Sequence, residues 1–224
     1  MIRIGSKEIE TTKIVCLGRN YREHAKEFNA PVPAEPVFFV KTINSIITDG
    51  KPVIYPRILY ESKEFNRVDY EVELAFILSK RCKKISSEAA FDYVQGYSVF
   101  LDITARNMQI FDRNKNLPWY RSKNFDTFSA IGPRIVPLKE IEEPHNLNIG
   151  LILNGETKQS SNTSYMIFKI PKILEYISSF LTLEQGDIVA TGTPSGVGPI
   201  QPGDVIEASI DNIGTIRHEV ILEE

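Results

Sequence analysis

Asp69-Tyr70-Glu71-Val72-Glu73-Leu74-Ala75-Phe76-Ile77 reads as a β-strand with two unlike faces. Successive side chains on a strand point to opposite sides, so Tyr70, Val72, Leu74 and Phe76 share one face and Asp69, Glu71 and Glu73 share the other. The acidic face continues as Ala75 and Ile77, which places the acids where the strand enters an interior. A solvated acidic surface is the competing reading of the same pattern. With Cα atoms roughly 7 Å apart, the carboxylates of Glu71 and Glu73 can converge on one ion.

Strand signals continue on both sides of this segment. Lys13 to Leu17 and Val37 to Lys41 are short apolar strands, separated by a polar helical segment over Asn20 to Phe28 and a proline-rich stretch. Tyr97 to Ile103 is an apolar run of strand length. Ser86 or Ser87 caps a predicted helix running to about Tyr93, with Glu88 in its first turn. Ile149 to Leu153 followed by Asn154-Gly155 predicts a hairpin with a type I′ turn. Ile170, Ile173, Leu174, Ile177 and Leu181 recur at helical spacing, and Pro171 suits a first turn. Beyond Gly186 the pattern returns to strands at Asp187 to Thr191, Asp204 to Ile210 and Thr215 to Leu222. Many short strands without βα alternation predict an α+β, β-rich fold rather than a doubly wound parallel sheet.

Asp102 lies inside the apolar run Tyr97 to Ile103. A carboxylate buried there costs several kcal/mol unless a metal, an arginine or a helix N-terminus meets it. An internal ion pair with Arg106 is one solution, and a metal shared with Glu71 and Glu73 is another. Two glutamates and an aspartate form a hard oxygen set that suits Mg2+, Mn2+ or Ca2+ and disfavours zinc. His24 and Glu27, three apart on a helix, share a face on which the carboxylate orients the imidazole, although Arg22, Glu23 and Lys26 also fit a solvated face. Arg106, Gln109 and Lys123 supply cations and an amide for an anionic substrate. Thr191-Gly192-Thr193-Pro194-Ser195-Gly196-Val197-Gly198 lacks the lysine and following helix of a P-loop. It reads as a tight loop offering N–H groups and the Thr193 hydroxyl to a small anion.

Composition narrows the function classes. The chain has 224 residues, 42% of them hydrophobic, and a formal charge of -3, which fits one domain over 1–224 with a short N-terminal extension over 1–12. No basic field points to nucleic acid. The apolar runs are too short to cross a membrane, and Met1 to Glu10 lacks a signal-peptide core, so the expectation is a cytoplasmic protein. Cys16 and Cys82 each lie in or beside apolar sequence without metal-ligand spacing and read as buried thiols.

Taken in chain order, these stretches resemble the fumarylacetoacetate hydrolase family, in particular its short single-domain acylpyruvate hydrolases and oxaloacetate decarboxylases. The matching residues are Gly18-Arg19-Asn20-Tyr21 with His24 and Glu27, Asp69 to Leu74, Asp102-Ile103-Thr104-Ala105-Arg106 with Gln109, Lys123, and the Thr191 to Gly198 loop. The resemblance implies a mixed β-sandwich roll, a homodimer, and a divalent ion (Mg2+ or Mn2+, with Ca2+ also suited) on Glu71, Glu73 and Asp102. It implies catalytic roles for His24, Glu27 and Lys123 and substrate contacts at Arg19, Arg106, Gln109 and Thr193. Two departures stand out. The founding enzyme has an N-terminal β-barrel for which this chain has no room, and an acidic ligand shortly before its histidine, whereas Val15 to Arg22 contains no acid.

The expected substrate is a small 2-oxo acid. C–C hydrolysis of a 2,4-dioxo acid, of acylpyruvate or fumarylpyruvate type, comes first because both His24 and Glu27 are present. A 2-hydroxyhepta-2,4-diene-1,7-dioate isomerase or an oxaloacetate decarboxylase is the alternative. A noncatalytic, metal-stabilised binding protein is the rival from another class; it has no use for His24, Glu27 and Lys123 at one cavity.

Overall fold

The computed structural model describes residues 1–29 and 31–224. Its strands, in chain order, are β1 (Ile2–Ile4), β2 (Lys7–Ile9), β3 (Ile14–Gly18), β4 (Val37–Lys41), β5 (Ile46–Thr48), β6 (Val53–Tyr55), β7 (Val68–Tyr70), β8 (Val72–Leu78) and β9 (Val94–Asp102). They continue as β10 (Thr104–Ala105), β11 (Ser129–Pro137), β12 (Asn148–Leu153), β13 (Glu156–Asn162), β14 (Ile188–Ala190), β15 (Gly198–Ile200), β16 (Val205–Ile210) and β17 (Gly214–Leu222). Helices α1 (Arg22–Glu27), α2 (Arg57–Tyr60), α3 (Arg106–Asn114), α4 (Tyr120–Lys123) and α5 (Ile170–Phe180) lie between them. The fold is α+β and strand-rich, as the sequence pattern predicts.

A seven-stranded mixed sheet in the order β4-β3-β14-β8-β9-β11-β5 carries the site. Its edge strands β4 and β5 are joined by the short turn Ile43–Ser45, so the sheet curls and its inner face is enclosed. Alternation sorts the side chains. Ile14, Cys16, Ala75, Ile77, Phe100, Ile131 and Ile188 form a small inner core, closed by Ile4 and Ile9 of the β1–β2 hairpin. Val15, Leu17, Val72, Leu74, Phe76, Val99 and Leu101 point outward into the larger core, which the five-stranded sheet β13-β12-β16-β17-β6 and α5 complete. Both faces of β8 are therefore buried, and the solvated reading of its acidic face does not hold.

The quoted segment is two strands, not one. β7 belongs to a three-stranded sheet with β10 and β15, whereas β8 pairs with β9 and β14, so the chain changes sheet at Glu71. The partner strand changes sheet opposite it, between Asp102 and Thr104. The Asn154-Gly155 turn has φ of 53° and 84°, as a type I′ hairpin requires. The predicted helix before Tyr93 is a 3₁₀ helix over Ser87–Tyr93 with no side-chain cap. Sequence patterning misses β11, because Gly132 and Pro133 interrupt any alternation. Both cysteines are buried and free.

Candidate active site

Register brings the three acids together. β8 pairs antiparallel with β9 through Val72↔Leu101 and Glu73↔Phe100, and the Asp102 N–H donates to the Glu71 carbonyl at 2.9 Å. Glu71 and Asp102 are therefore cross-strand neighbours on the inner face, and Glu73 is two residues along from Glu71. Carboxylate oxygens of Glu71, Glu73 and Asp102 lie within 4.8 Å of one another, and all three residues are buried. Asp69, the remaining acid of the Asp69 to Ile77 segment, is instead neutralised by Arg67 and Arg106.

Cations surround two of the three acids. Lys123 Nζ, at the end of α4, reaches Glu71 Oε2 at 2.9 Å, Asp102 Oδ2 at 2.5 Å and Thr104 Oγ1 at 2.6 Å. Arg106 spans Asp69 and Glu71 and donates to Gln109 Oε1 at 2.6 Å. The ion pair of Asp102 with Arg106, weighed from sequence, is replaced by pairs with Lys123 and Lys41. Burial alone raises the Glu71 carboxyl, but Lys123 and Arg106 outweigh it and hold it well below the usual carboxylate range. Burial lowers the Lys123 ammonium, and Asp102 and Glu71 more than compensate, so it stays charged.

Glu73 has a different environment. Its Oε2 accepts from the Gly192 N–H at 2.8 Å, and no cationic side chain pairs with it among the described residues. Burial, with Asp102 and Glu71 close by, pushes its carboxyl well above the usual range. A hard divalent cation fits this set, since the ligands are all oxygen and the ion supplies the positive charge that Glu73 lacks. Glu71, Glu73 and Asp102 are the residues that would hold it.

The dyad stands at the same cavity. His24 Nδ1 lies 3.2 Å from Glu27 Oε2 on α1, and Glu27 Oε1 accepts from the Gly196 N–H at 3.2 Å. A carboxylate only accepts, so Nδ1 carries the hydrogen in this contact. The Thr191 to Gly198 loop thus gives the N–H groups of Gly192 and Gly196 to Glu73 and Glu27. Two glycines make this possible. A Cβ at Gly192 (φ +90°) would meet the Asn20 Cβ at 2.8 Å, and one at Gly196 (φ +95°) would meet the Lys158 carbonyl at 2.2 Å.

His24, Glu71, Glu73, Lys123, Arg106 and Gln109 all line one cleft of about 590 Å³, together with Arg19 and Thr193. Three supporting residues have no role assigned to them in the sequence reading. Lys41 is fully buried on β4 and binds Asp102 Oδ1, the Ile103 carbonyl and the Phe128 carbonyl. Gln159 donates to Thr193 Oγ1 at 2.9 Å and accepts from the Val72 N–H. Asn20 ties the β3–α1 turn to Thr191 and Phe168. A lysine closing an apolar strand is the one signal that pointed to Lys41; Asn20 enters only through the Gly18-Arg19-Asn20-Tyr21 match, and Gln159 has no signal.

The model of the fumarylacetoacetate (FAA) hydrolase C-terminal family matches residues 13–221. The chain belongs to the fumarylacetoacetate hydrolase family. An uncharacterised protein of Pyrococcus abyssi is 51% identical over 99% of this chain and 96% of its own length. The mitochondrial oxaloacetate tautomerase FAHD1 of Bos taurus is 43% identical, over 92% of this chain and 90% of its own. Among solved structures, the fumarylpyruvate hydrolase of Pseudomonas aeruginosa, in complex with Mn2+ and pyruvate, superposes with a TM-score of 0.88. It is 31% identical, with 98% of this chain and 93% of that chain covered. As a member of this family of enzymes, the chain shares its catalytic fold, and no helix in it is long and apolar enough to cross a membrane.

Proposed function

We propose that this protein is a Mg2+- or Mn2+-dependent cytoplasmic enzyme, working as a homodimer, that moves a proton at the carbon beside the 2-oxo group of a small 2-oxo acid. The observation that carries the reading is that Glu71 and Glu73 of the buried acid triad line one cleft with His24, the histidine paired with Glu27. A noncatalytic metal-binding protein has no need of a histidine oriented by a carboxylate at the same cleft as the acids.

Glu71, Glu73 and Asp102 would hold a divalent ion, which would supply Lewis-acid polarisation of the substrate's 2-oxo group. Arg106 and Gln109 bind the 1-carboxylate and fix its orientation. His24 Nε2 takes the proton from C3, the C–H electron pair becomes the C2–C3 double bond, and Glu27 stabilises the imidazolium so formed. Lys123 offsets the negative charge that develops on the 2-oxo oxygen. Oxaloacetate is the first substrate to test, given the 43% identity to an oxaloacetate tautomerase. Loss of CO2 from the same acid is a further outcome of this geometry.

C–C hydrolysis, the first choice from sequence, stands as the second reading. The likeness to a fumarylpyruvate hydrolase favours it. Here His24 deprotonates a water that attacks the distal carbonyl of a 2,4-dioxo acid, and Lys123 again offsets developing charge. Steady-state assays with oxaloacetate, acetylpyruvate and fumarylpyruvate, each with Mg2+ and with EDTA, separate the readings. Turnover of none of them with Mg2+ or Mn2+ returns the protein to a noncatalytic role. Light scattering at micromolar concentration tests the dimer, and a monomeric mass refutes it.

A further inference from the structure

β13 sends one side chain fully inward. Its pairing with β12 slips by one residue at Lys158, since Leu151 faces Gln159 while Ile152 faces Thr157. A bulge of this kind re-aims the side chain beside it, and Gln159 is the one fully buried residue of the strand. The Thr191 to Gly198 loop lies directly against this point, where a Cβ at Gly196 would stand 3.4 Å from the Gln159 Cα.

A buried side-chain amide has two N–H donors and a carbonyl acceptor to satisfy. Gln159 Nε2 donates to Thr193 Oγ1 at 2.9 Å and to the Pro194 carbonyl at 2.9 Å, and Oε1 accepts from the Val72 N–H at 3.1 Å. The amide is oriented by groups that have no choice of role: the Val72 N–H only donates and the Pro194 carbonyl only accepts. Thr193 Oγ1 is therefore an acceptor toward Gln159, and no acceptor for its own hydrogen lies among the described residues. Thr193 is 2% exposed and lines the cleft with Glu71 and Glu73, whereas Gln159 is no part of the cleft wall. Val72, tied to the same amide, is the residue between those two acids.

We propose that Gln159 is a positioning residue that fixes the Thr193 hydroxyl as a hydrogen-bond donor, aimed at an acceptor oxygen of the bound acid. This rests on the 2-oxo acid reading above and adds the residue that sets the polarity of one contact. A hydroxyl free to turn offers lone pairs as readily as a hydrogen, and lone pairs repel a carboxylate or carbonyl oxygen. Holding the rotor before the ligand arrives removes the cost of ordering it.

The test is calorimetric binding of pyruvate to the Mn2+-loaded protein, with Mn2+ affinity measured separately. Thr193→Val should weaken pyruvate by about tenfold or more, and Thr193→Ser by less than about threefold. Gln159→Met should weaken pyruvate by about 3- to 10-fold in the wild type and again in Thr193→Ser. In Thr193→Val it should weaken it by less than about twofold, because no hydroxyl is left to orient. Mn2+ affinity should stay within about twofold throughout, although a merely structural clamp on β8 would move it, since Glu71 and Glu73 flank Val72. If Gln159→Met fails to fold by circular dichroism, Gln159→Asn, whose amide is too short to reach Thr193, carries the same expectations. An equal loss of pyruvate with and without the hydroxyl, or a loss of Mn2+ affinity as large as that of pyruvate, overturns the positioning role. Unchanged pyruvate binding in either the Gln159 variant or Thr193→Val overturns it too. In all these cases the wild type still binds pyruvate, and the 2-oxo acid reading stands. A wild-type protein that takes up Mn2+ but no pyruvate at millimolar concentration overturns both.

Discussion

Lys41 and Asp102 form an ion pair that is sealed from solvent on both sides: Lys41 Nζ donates to Asp102 Oδ1 at 2.5 Å, and the two side chains are 0% and 1% exposed. The remaining ammonium protons go to the carbonyls of Ile103 and Phe128, so all three donors are used. Lys123 meanwhile binds the other oxygen, Oδ2. Lys41 is therefore the fixed counter-ion that holds Asp102 in place, and Oδ2 is the oxygen that shares Lys123 with Glu71.

Removing that counter-ion should be costly. We expect Lys41→Met to destabilise the protein by about 3–5 kcal/mol, because it leaves buried carboxylate charge and two carbonyls short of a partner. Urea unfolding measures it, and a loss below about 1 kcal/mol would show that Lys123 suffices for Asp102.

Glu73 is the acid without a cation, so its substitution should act on metal binding more than on folding. Glu73→Gln keeps the shape and an acceptor for the Gly192 N–H but loses the charge. We expect at least about a tenfold weaker Mn2+ affinity by calorimetry, together with loss of turnover and little change in melting temperature. Unchanged affinity would place the ion elsewhere.

The dyad offers a way to separate C–C hydrolysis from loss of CO2. Where His24 activates water, His24→Ala should lower acylpyruvate hydrolysis by about 10²–10⁴-fold. Loss of CO2 from oxaloacetate, which needs no proton abstraction, should fall much less. Glu27→Ala should follow in the same direction but more mildly, since it removes the partner of Nδ1 and the acceptor for Gly196. Equal losses in both reactions would mean that His24 shapes the cleft rather than moves a proton.

A pH effect on stability should come from His145, remote from the site. Its Nε2 accepts from the Ile170 N–H at 3.1 Å at the start of α5, which requires the neutral ring. Burial, helped by Lys169, lowers its pKa from 6.5 to about 4. Between these values the unfolded chain binds the extra proton and the native one does not, so stability falls as pH drops through that window and is complete above it. His145→Gln, which offers an acceptor that does not titrate, should flatten the change in urea midpoint between pH 6.5 and 4. The same slope in the variant would assign the effect to other groups.

The strand-rich class, the β12–β13 hairpin, α5, the acid triad and the dyad were all legible in the sequence, because each rests on local information. Period-two and period-3.6 patterns, the Asn-Gly turn, and carboxylates embedded in apolar runs are set by neighbours a few residues away. What only the tertiary structure decided is how distant residues pair. The register that sets Glu71 opposite Asp102 depends on which strands find each other. The crossing at Glu71 from one sheet to another breaks a segment whose alternation runs on unbroken in the sequence. Lys41 reaches Asp102 only because the sheet curls until its edge strands are joined, 61 residues separating the two in the chain. The β3–α1 turn is fixed by Asn20, which is held by residues about 150–170 positions further on. Periodicity tells a residue which face it occupies; burial, pairing and charge compensation come from residues the local sequence does not contain.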